Sequence, residues 1–198
     1  MKKIALALIA AASAAGALST AHAADIDLKP YMGAGVVFSE HKYNLQGDTS
    51  NASRTSNEYG GKIYGGVMIN KYFGAEVGYT DFGKSNYNYS INGANGHVDS
   101  SSKSYYLAAK AQYPVNEQFN VFGKLGVSHN KNDISTSGVA NAYGYGDNSR
   151  TSLYAGIGAE YAITQKVSAV VEYEYYGKND IDQGRRKGAI SLGAKFNF

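Results

Sequence analysis

Eight charged residues lie in segments in which every second residue is mostly apolar. Four of the eight are acidic and four are basic. They are Lys62, Glu76, Lys110, Lys124, Glu160, Glu172, Glu174 and Lys195. In a strand, successive side chains point to opposite faces, so each charge lies on the face opposite its apolar neighbours. A buried charge without a partner costs on the order of several kcal/mol, so a shared buried face requires pairing. These residues predict either a structural ion-pair network that blocks an enclosed space or a gate across a narrow ion path.

Two pairings are expected within this set. We predict that Lys110 pairs with Glu160, and that Lys124 competes for Glu76 and Glu172. Each of these residues lies on the charged face of its segment, at a similar distance from the nearest short connection. The two expected pairings therefore rest only on the shared face of the strands and on the similar distance from the short connections.

The chain has eight alternating segments, and all but the first carry these charges. They cover residues 28–39, 59–70, 73–80, 104–113, 119–128, 152–162, 167–175 and 188–198. In the last segment, Phe198, Phe196, Ala194, Leu192 and Ile190 share one face, and small or polar residues fill the other. An apolar face that ends in two aromatic residues is typical of a lipid-facing strand in an outer-membrane barrel.

The connections between these segments alternate in length. Residues 70–71, 114–118 and 164–166 form short turns, whereas residues 41–58, 84–103, 130–150 and 177–186 form longer connections. Short periplasmic turns and long extracellular loops are the arrangement of outer-membrane barrels. The predicted fold class is therefore all-β, an eight-stranded antiparallel up-and-down transmembrane β-barrel with four extracellular loops.

The N-terminus predicts export. Lys2 and Lys3 precede an apolar run that ends in the small-x-small sequence at residues 21–23, which is the pattern of a signal peptide. We assign residues 1–23 to a removed signal peptide and residues 24–198 to the barrel. Without the two lysines the chain has 17 basic and 16 acidic residues, a balance that argues against nucleic acid as a partner. There is no cysteine, and no cofactor or metal site is predicted.

Further residues are predicted to contact the membrane and its assembly machinery. Arg185, Arg186 and Lys187 follow the last loop, where their side chains suit lipopolysaccharide phosphates. Phe198, Phe196 and Leu192 are the expected assembly signal for the barrel assembly machinery, and the barrel is expected to be a monomer. Outward aromatic residues are expected to form two girdles at the membrane interfaces. They are Tyr113, Phe119, Tyr161, Phe196 and Phe198 at one end and Phe38, Tyr59, Tyr105, Tyr173 and Tyr175 at the other.

Signals for an enzyme are weak. Some eight-stranded barrels modify lipid A, which requires a nucleophile and a base on one surface. His129 faces outward beside Ser128, but neighbours in a strand point to opposite faces and cannot form a serine–histidine pair. We expect no enzymatic activity.

The chain resembles the outer membrane protein A family, specifically its eight-stranded transmembrane domain. Residues 64–85, YGGVMINKYFGAEVGYTDFGKS, are similar to the second hairpin of that family. Residues 108–127 resemble its central hairpin, residues 155–177 its third, and SLGAKFNF its closing strand. The resemblance covers essentially the whole chain after the signal peptide.

The resemblance also implies a charged lumen and a shorter protein. Glu76, Lys110, Lys124 and Glu160 fall on positions of the family's lumen network, whereas Val170 stands where well-known members have an arginine. Larger members carry a soluble peptidoglycan-binding domain after the barrel. This chain ends at Phe198, so no tether to the cell wall is expected.

Together these observations predict a small protein of the bacterial outer membrane with a structural, surface-exposed role. Its loops would contact a host or another surface, for example in adhesion, while its outer face contacts membrane lipids and lipopolysaccharide. The alternatives are a narrow porin-like channel for ions or small solutes and, more remotely, an enzyme that modifies lipid A.

Overall fold

The architecture is a closed barrel of eight antiparallel strands, as the alternating pattern predicted. A computed structural model describes residues 28–43, 55–91, 94–138, 148–177 and 183–198. The predicted signal peptide lies outside the described residues, as do parts of all four long connections. The strands are β1 (Lys29–Tyr43), β2 (Thr55–Met68), β3 (Phe73–Ile91), β4 (Ala94–Pro114), β5 (Phe119–Gly138), β6 (Asn148–Ala162), β7 (Val167–Tyr175) and β8 (Gln183–Asn197).

The first and last strands close the barrel. β1 pairs with β8 in an antiparallel register that places Val36 opposite Leu192. Around the whole cylinder the outward-facing side chains are mostly apolar, for example Leu107 at 56% exposure and Ile157 at 66%, while Glu76 inside is 1% exposed. Apolar residues therefore lie outside and charged residues inside, which is the reverse of a soluble protein. The outer face is suited to contact with the hydrocarbon of a membrane.

Seven of the eight strands run further than the hydrophobic alternation predicted, and β3, β4 and β5 do so by the most. The expectation of a loop across residues 84–103 was wrong, because β3 continues to Ile91 and β4 begins at Ala94. β5 likewise continues to Gly138, into the region expected to be loop. These stretches are rich in Ser, Asn and Tyr, so no apolar period marks them, yet their backbones pair with the neighbouring strand. The hydrophobic pattern thus marks the membrane-facing part of each strand rather than its full length.

The three short turns share one construction. Asn70 Oδ1 accepts hydrogen bonds from the backbone N–H of Tyr72 at 2.8 Å and Phe73 at 2.9 Å. Asn116 and Thr164 occupy the same position in the other two turns, and each accepts two backbone N–H groups in the same way. Short polar side chains that bind their own backbone favour tight turns. We call this end of the barrel the turn end, and the opposite end the hairpin end.

The outer surface carries aromatic residues toward both ends. Phe38 packs edge-to-face on Tyr59 with ring centroids 5.3 Å apart, and Phe196 packs in the same way on Phe198 at 5.3 Å. Such rings suit the interfaces between lipid and water. No helix in the described part of the chain has the length and apolar character needed to cross a membrane.

Candidate functional site

The enclosed interior of the barrel, its lumen, contains all eight of the charged residues singled out above. Each is at most 6% exposed: Lys62, Glu76, Lys110, Lys124, Glu160, Glu172, Glu174 and Lys195. Their side chains point inward because each sits out of phase with the apolar residues of its own strand. An eight-stranded barrel has room inside only for side chains, so these groups meet one another.

At the turn end of the lumen, one carboxylate holds two lysines. Glu160 on β6 accepts hydrogen bonds from the Nζ atoms of Lys110 on β4 and Lys195 on β8. The pairing of Lys110 with Glu160 expected from the sequence is therefore present. Among the described residues Glu160 is the only carboxylate within salt-bridge distance of either lysine.

Toward the hairpin end, five residues form a chain of alternating sign, which we call the five-residue chain. Lys124 Nζ lies 2.6 Å from Glu76 Oε1 and 2.8 Å from the Glu172 carboxylate. Lys62 Nζ then lies 2.9 Å from Glu172 Oε2 and 2.6 Å from Glu174 Oε1. Lys124 was expected to compete for Glu76 and Glu172. It binds both carboxylates at once, because its ammonium group has three donors.

Tyrosine hydroxyl groups complete the coordination of these carboxylates. Tyr31 donates to Glu76 Oε2 at 3.0 Å, and Tyr106 donates to Glu76 Oε1 at 2.5 Å. Tyr154 donates to Glu174 Oε1 at 2.7 Å. Buried carboxylates need several donors to offset the loss of water, and these hydroxyl groups supply them without adding charge.

An aromatic ring joins the two charged clusters. Lys110 Nζ lies 5.0 Å and Lys195 Nζ 5.2 Å from the centroid of the Tyr31 ring, whose hydroxyl group binds Glu76. Cations over aromatic faces are attracted by the ring quadrupole. The lumen of the described residues therefore contains one connected polar network with four acidic and four basic groups, in which every charge has an opposite partner.

An aromatic layer closes the network on the side of the hairpin end, and we call it the lid. Tyr176, Phe82 and Val37 are all 0% exposed, and the rings of Phe82 and Tyr176 pack edge-to-face at 5.0 Å. Tyr176 Oη donates to Glu174 Oε1 at 2.8 Å and also lies 2.8 Å from Thr80 Oγ1. Asn130 Nδ2 donates to the backbone carbonyl of Tyr176 at 2.7 Å. The lid is thus tied to the network beneath it.

Sequence reasoning missed most of the lid because Phe82 and Tyr176 lie just past the ends of the predicted segments. A signal was available. Both residues continue the inward parity of their strands, since Thr80 and Glu174 are inward and two residues earlier. If the alternation of inward and outward residues had been extended by two residues along each strand, both rings would have been placed in the lumen.

The remaining predicted residues lie away from the lumen. Leu192, Phe196 and Phe198 are on the outer face, at 52%, 38% and 68% exposure. Arg185, Arg186 and Lys187 belong to β8, but their side chains lie outside what the structure describes. His129 is exposed and lies 3.1 Å from Thr151 Oγ1, whereas Ser128 is buried on the inner face. No group of three or more potential metal ligands is found among the described residues.

Comparison with known proteins places this geometry among bacterial outer-membrane proteins. Residues 5–198 match the family model described as the outer membrane protein beta-barrel domain. The full length of the chain aligns with outer membrane protein A of Escherichia coli O157:H7 and of Shigella flexneri, each at 31% identity. These alignments cover 55% and 56% of the two relatives, so the chain spans about half the length of the curated relatives it matches.

Solved structures agree on the fold. Ail, the attachment invasion locus protein of Yersinia pestis, crystallised in complex with the heparin analogue sucrose octasulfate, superposes with a TM-score of 0.57 at 23% identity. The match covers 86% of this chain and 99% of that one. The outer membrane protein OprG from Pseudomonas aeruginosa superposes with a TM-score of 0.51 at 13% identity, over 86% of this chain and 95% of that one.

Proposed function

This chain belongs to the family of outer membrane protein beta-barrel domains, and we propose that it has a structural and surface-exposed role in the bacterial outer membrane. In this role the barrel stabilises the membrane, the turn end faces the periplasm, and the hairpin end presents four connections to the environment. Contact with other surfaces, including adhesion, takes place at the hairpin end.

The observation that carries this proposal is the filled lumen. Eight charged side chains pair inside the barrel, and the fully buried lid of Tyr176, Phe82 and Val37 lies over them. Moving an ion through this region requires the separation of paired buried charges, which costs on the order of several kcal/mol for each pair. A lumen of this kind supports a plug, and it leaves the outer and hairpin-end surfaces to carry the function.

A narrow pore is the second candidate, and one observation favours it. Lys124 and Lys62 each contact two carboxylates, and they share Glu172. A lysine with two partners can release one of them while it remains paired, so the network can rearrange without leaving a charge alone. Under this alternative the five-residue chain is a gate.

Conductance of the mature chain in planar lipid bilayers separates the two candidates. We expect no discrete current steps from the wild-type barrel, because the network and the lid block the lumen. A variant with Glu76→Ala and Lys124→Ala clears two long side chains without changing the net charge, and the further changes Phe82→Ala and Tyr176→Ala open the lid. We expect the variant with all four changes to conduct. Salt-dependent steps from the wild-type barrel at neutral pH would contradict the plug and support the pore.

The partners proposed for this role follow from surface chemistry. Arg185, Arg186 and Lys187 would bind lipopolysaccharide phosphates, and the terminal strand with Phe198 would be recognised by the barrel assembly machinery. Residues 1–23 would direct export, and the barrel would work as a monomer without enzymatic activity. A deletion strain assayed for both envelope integrity and surface binding tests the role as a whole, and no defect in either assay would count against it.

A further inference from the structure

The wall of the barrel has a gap at the hairpin end, above the short strand β7. The pairing of β6 with β7 ends at Ala155 opposite Tyr175, and the pairing of β7 with β8 ends at Tyr175 opposite Gly188. Both neighbours extend further toward the hairpin end, since β6 begins at Asn148 and β8 begins at Gln183. Within the described residues nothing pairs with either strand on the side that faces this gap.

The chain leaves β7 by turning inward, so that residues 176–177 cross the mouth of the lumen. We call these two residues the strap. The backbone carbonyl of Tyr176 accepts hydrogen bonds from Asn130 Nδ2 at 2.7 Å and from Ser128 Oγ at 3.3 Å, and both donors belong to β5. In the order of the barrel, β5 is two strands away from β7. The strap therefore reaches across the inner face of β6.

A glycine permits this inward turn. Gly177 has a φ of 82°, a backbone conformation that residues with a side chain rarely adopt. A side chain built there would collide with the side chain of Ser152, which belongs to β6. The strap thus lies directly against β6, and its path depends on the absence of a side chain at Gly177.

The closed strap leaves two buried polar groups beside it without partners. In the described structure Asn130 Oδ1 and Ser104 Oγ have no hydrogen-bond partner, although the two residues are only 6% and 0% exposed. They lie opposite each other in the pairing of β4 with β5. A buried polar group without a partner costs free energy, which is recovered when water reaches it. Movement of the strap away from Asn130 would hydrate this pair, so the closed position is opposed by a cost that opening removes.

The strap covers the part of the network that is nearest to the hairpin end. The hydroxyl group of Tyr176 donates to Glu174 Oε1 at 2.8 Å, and Ser191 Oγ donates to Glu174 Oε2 at 3.0 Å. If the strap and its ring move outward, Glu174 loses one donor and keeps Lys62, Tyr154 and Ser191. The carboxylate therefore remains paired with a lysine when the strap opens.

We propose that the strap is a movable cover, which swings outward into the gap above β7 and admits water and small ions from the hairpin end to the network. The turn end stays closed, because Glu160 continues to hold Lys110 and Lys195 and the five-residue chain still fills the lumen. The motion thus converts the plug into a cavity that is open on one side, rather than into a channel. This inference deepens the structural role proposed above and rests on the filled lumen.

A cysteine placed beneath the strap measures its opening, because the native chain has no cysteine. Ser191→Cys replaces a buried hydroxyl group beside Glu174 by a thiol, in the mature barrel in phospholipid nanodiscs. The rate at which this thiol reacts with a small, water-soluble methanethiosulfonate reagent reports how often the strap is open. Ser168→Cys is the reference, since Ser168 is 5% exposed and is paired with Lys195 near the turn end, away from the strap.

Two double variants are compared in each cysteine background. Ser128→Ala with Asn130→Ala removes both donors to the Tyr176 carbonyl and is the released variant. Ser102→Ala with Asn132→Ala is the matched control, because these residues are also a buried serine and a buried asparagine. Their hydrogen bond, from Ser102 Oγ to Asn132 Oδ1 at 2.5 Å, does not involve the strap.

We expect the released variant to raise the labelling rate of Ser191→Cys at least tenfold and the control variant to change it less than threefold. Asn130→Ala alone keeps one donor to the strap and should give an intermediate rate. The rate at Ser168→Cys should change less than threefold in every variant, since a general loosening of the barrel would accelerate both sites. Folding of each variant is verified by its shifted migration on unboiled gels. Equal rates in the released and control variants, or equal acceleration at the two cysteines, would overturn the inference.

Conductance in planar bilayers separates this inference from the wider function. The released variant should remain silent, because paired charges still fill the lumen below the strap, and current steps from it would overturn the cavity that opens on one side. Current steps from the wild-type barrel would contradict the plug and, with it, the premise of this inference. If the wild-type barrel is silent but the labelling rates do not respond to the loss of the strap donors, only the strap proposal fails.

Discussion

Glu160 and Glu172 lie in the same lumen, but they differ in whether the lysines that they bind have another carboxylate partner. Glu160 is the only carboxylate within salt-bridge distance of Lys110 and Lys195 in the described structure. Glu172 shares Lys62 with Glu174 and Lys124 with Glu76, so both of its lysines have another partner. The penalty for a buried charge depends on whether an opposite charge remains beside it.

Replacement of each carboxylate by its amide isostere should therefore have unequal effects on stability. We expect Glu160→Gln to lower the free energy of unfolding by about 3–5 kcal/mol, because two buried ammonium groups lose their partner. Glu172→Gln should cost about 1.5–3 kcal/mol, the range for a lost hydrogen bond to a charged group. Urea unfolding in lipid vesicles, followed by tyrosine fluorescence and gel migration, measures both values.

The two variants change the net charge equally, so each serves as the control for the other. Equal losses of stability, or a larger loss for Glu172→Gln, would contradict the partner arrangement.

The tyrosine rings add a further constraint at this scale. A side chain built on Gly78 would collide with the ring of Tyr106, so the absence of a side chain there makes room for a donor to Glu76.

At the scale of elements, the repeated turn construction explains how antiparallel neighbours are joined at one end. Asn70, Asn116 and Thr164 each follow an apolar residue and each bind the backbone two and three positions ahead. Two backbone N–H groups of each turn, which no ladder partner can reach, are satisfied in this way. The strands on either side begin in a fixed register for this reason.

Loss of the acceptor oxygen should weaken a turn, while its retention should not. Asn116 Oδ1 accepts the N–H groups of Gln118 at 2.9 Å and Phe119 at 2.8 Å. We expect Asn116→Ala to lower the free energy of unfolding by about 0.5–1.5 kcal/mol for each bond and to slow refolding into vesicles. Asn116→Asp keeps an acceptor at the same place and is the matched control. Refolding rates of the alanine variant that match wild type would show that the turn does not depend on this side chain.

At the scale of the whole molecule, closure is the property on which the rest depends. With β1 joined to β8, the described strands have no open edge in the membrane, where an unpaired backbone group would cost several kcal/mol in rough terms. Phe198 N donates to Pro30 O at 3.2 Å, which sets the phase of this seam. It makes Val37 and Ser191 a pair without mutual hydrogen bonds, whose Cα atoms are expected to lie about 4.5 Å apart.

A disulfide across the seam tests closure directly, since the native chain has no cysteine. We expect Val37→Cys with Ser191→Cys to oxidise readily, because the separation fits disulfide geometry, and to stabilise the barrel by about 2–4 kcal/mol. The cross-linked chain should migrate faster than the reduced chain on boiled, non-reducing gels. Val37→Cys with Ile190→Cys places the thiols on opposite faces and should remain reduced. Efficient oxidation of this second pair instead of the first would show a register different from the one described.

The sequence by itself determined which residues face lipid and which face the lumen, because side-chain direction in a strand depends only on parity. It also determined the number of strands and the short turns, since alternation and loop length are local. It did not determine the full length of most strands, and it missed the most in β3, β4 and β5, because backbone pairing beyond the membrane leaves no hydrophobic period.

Only the tertiary structure decided that Glu160 holds two lysines and that Phe82 and Tyr176 meet over the network. Each of these depends on register and on the angular position of strands distant in sequence. Parity assigns a side chain to the lumen, whereas closure of the cylinder selects its neighbours there.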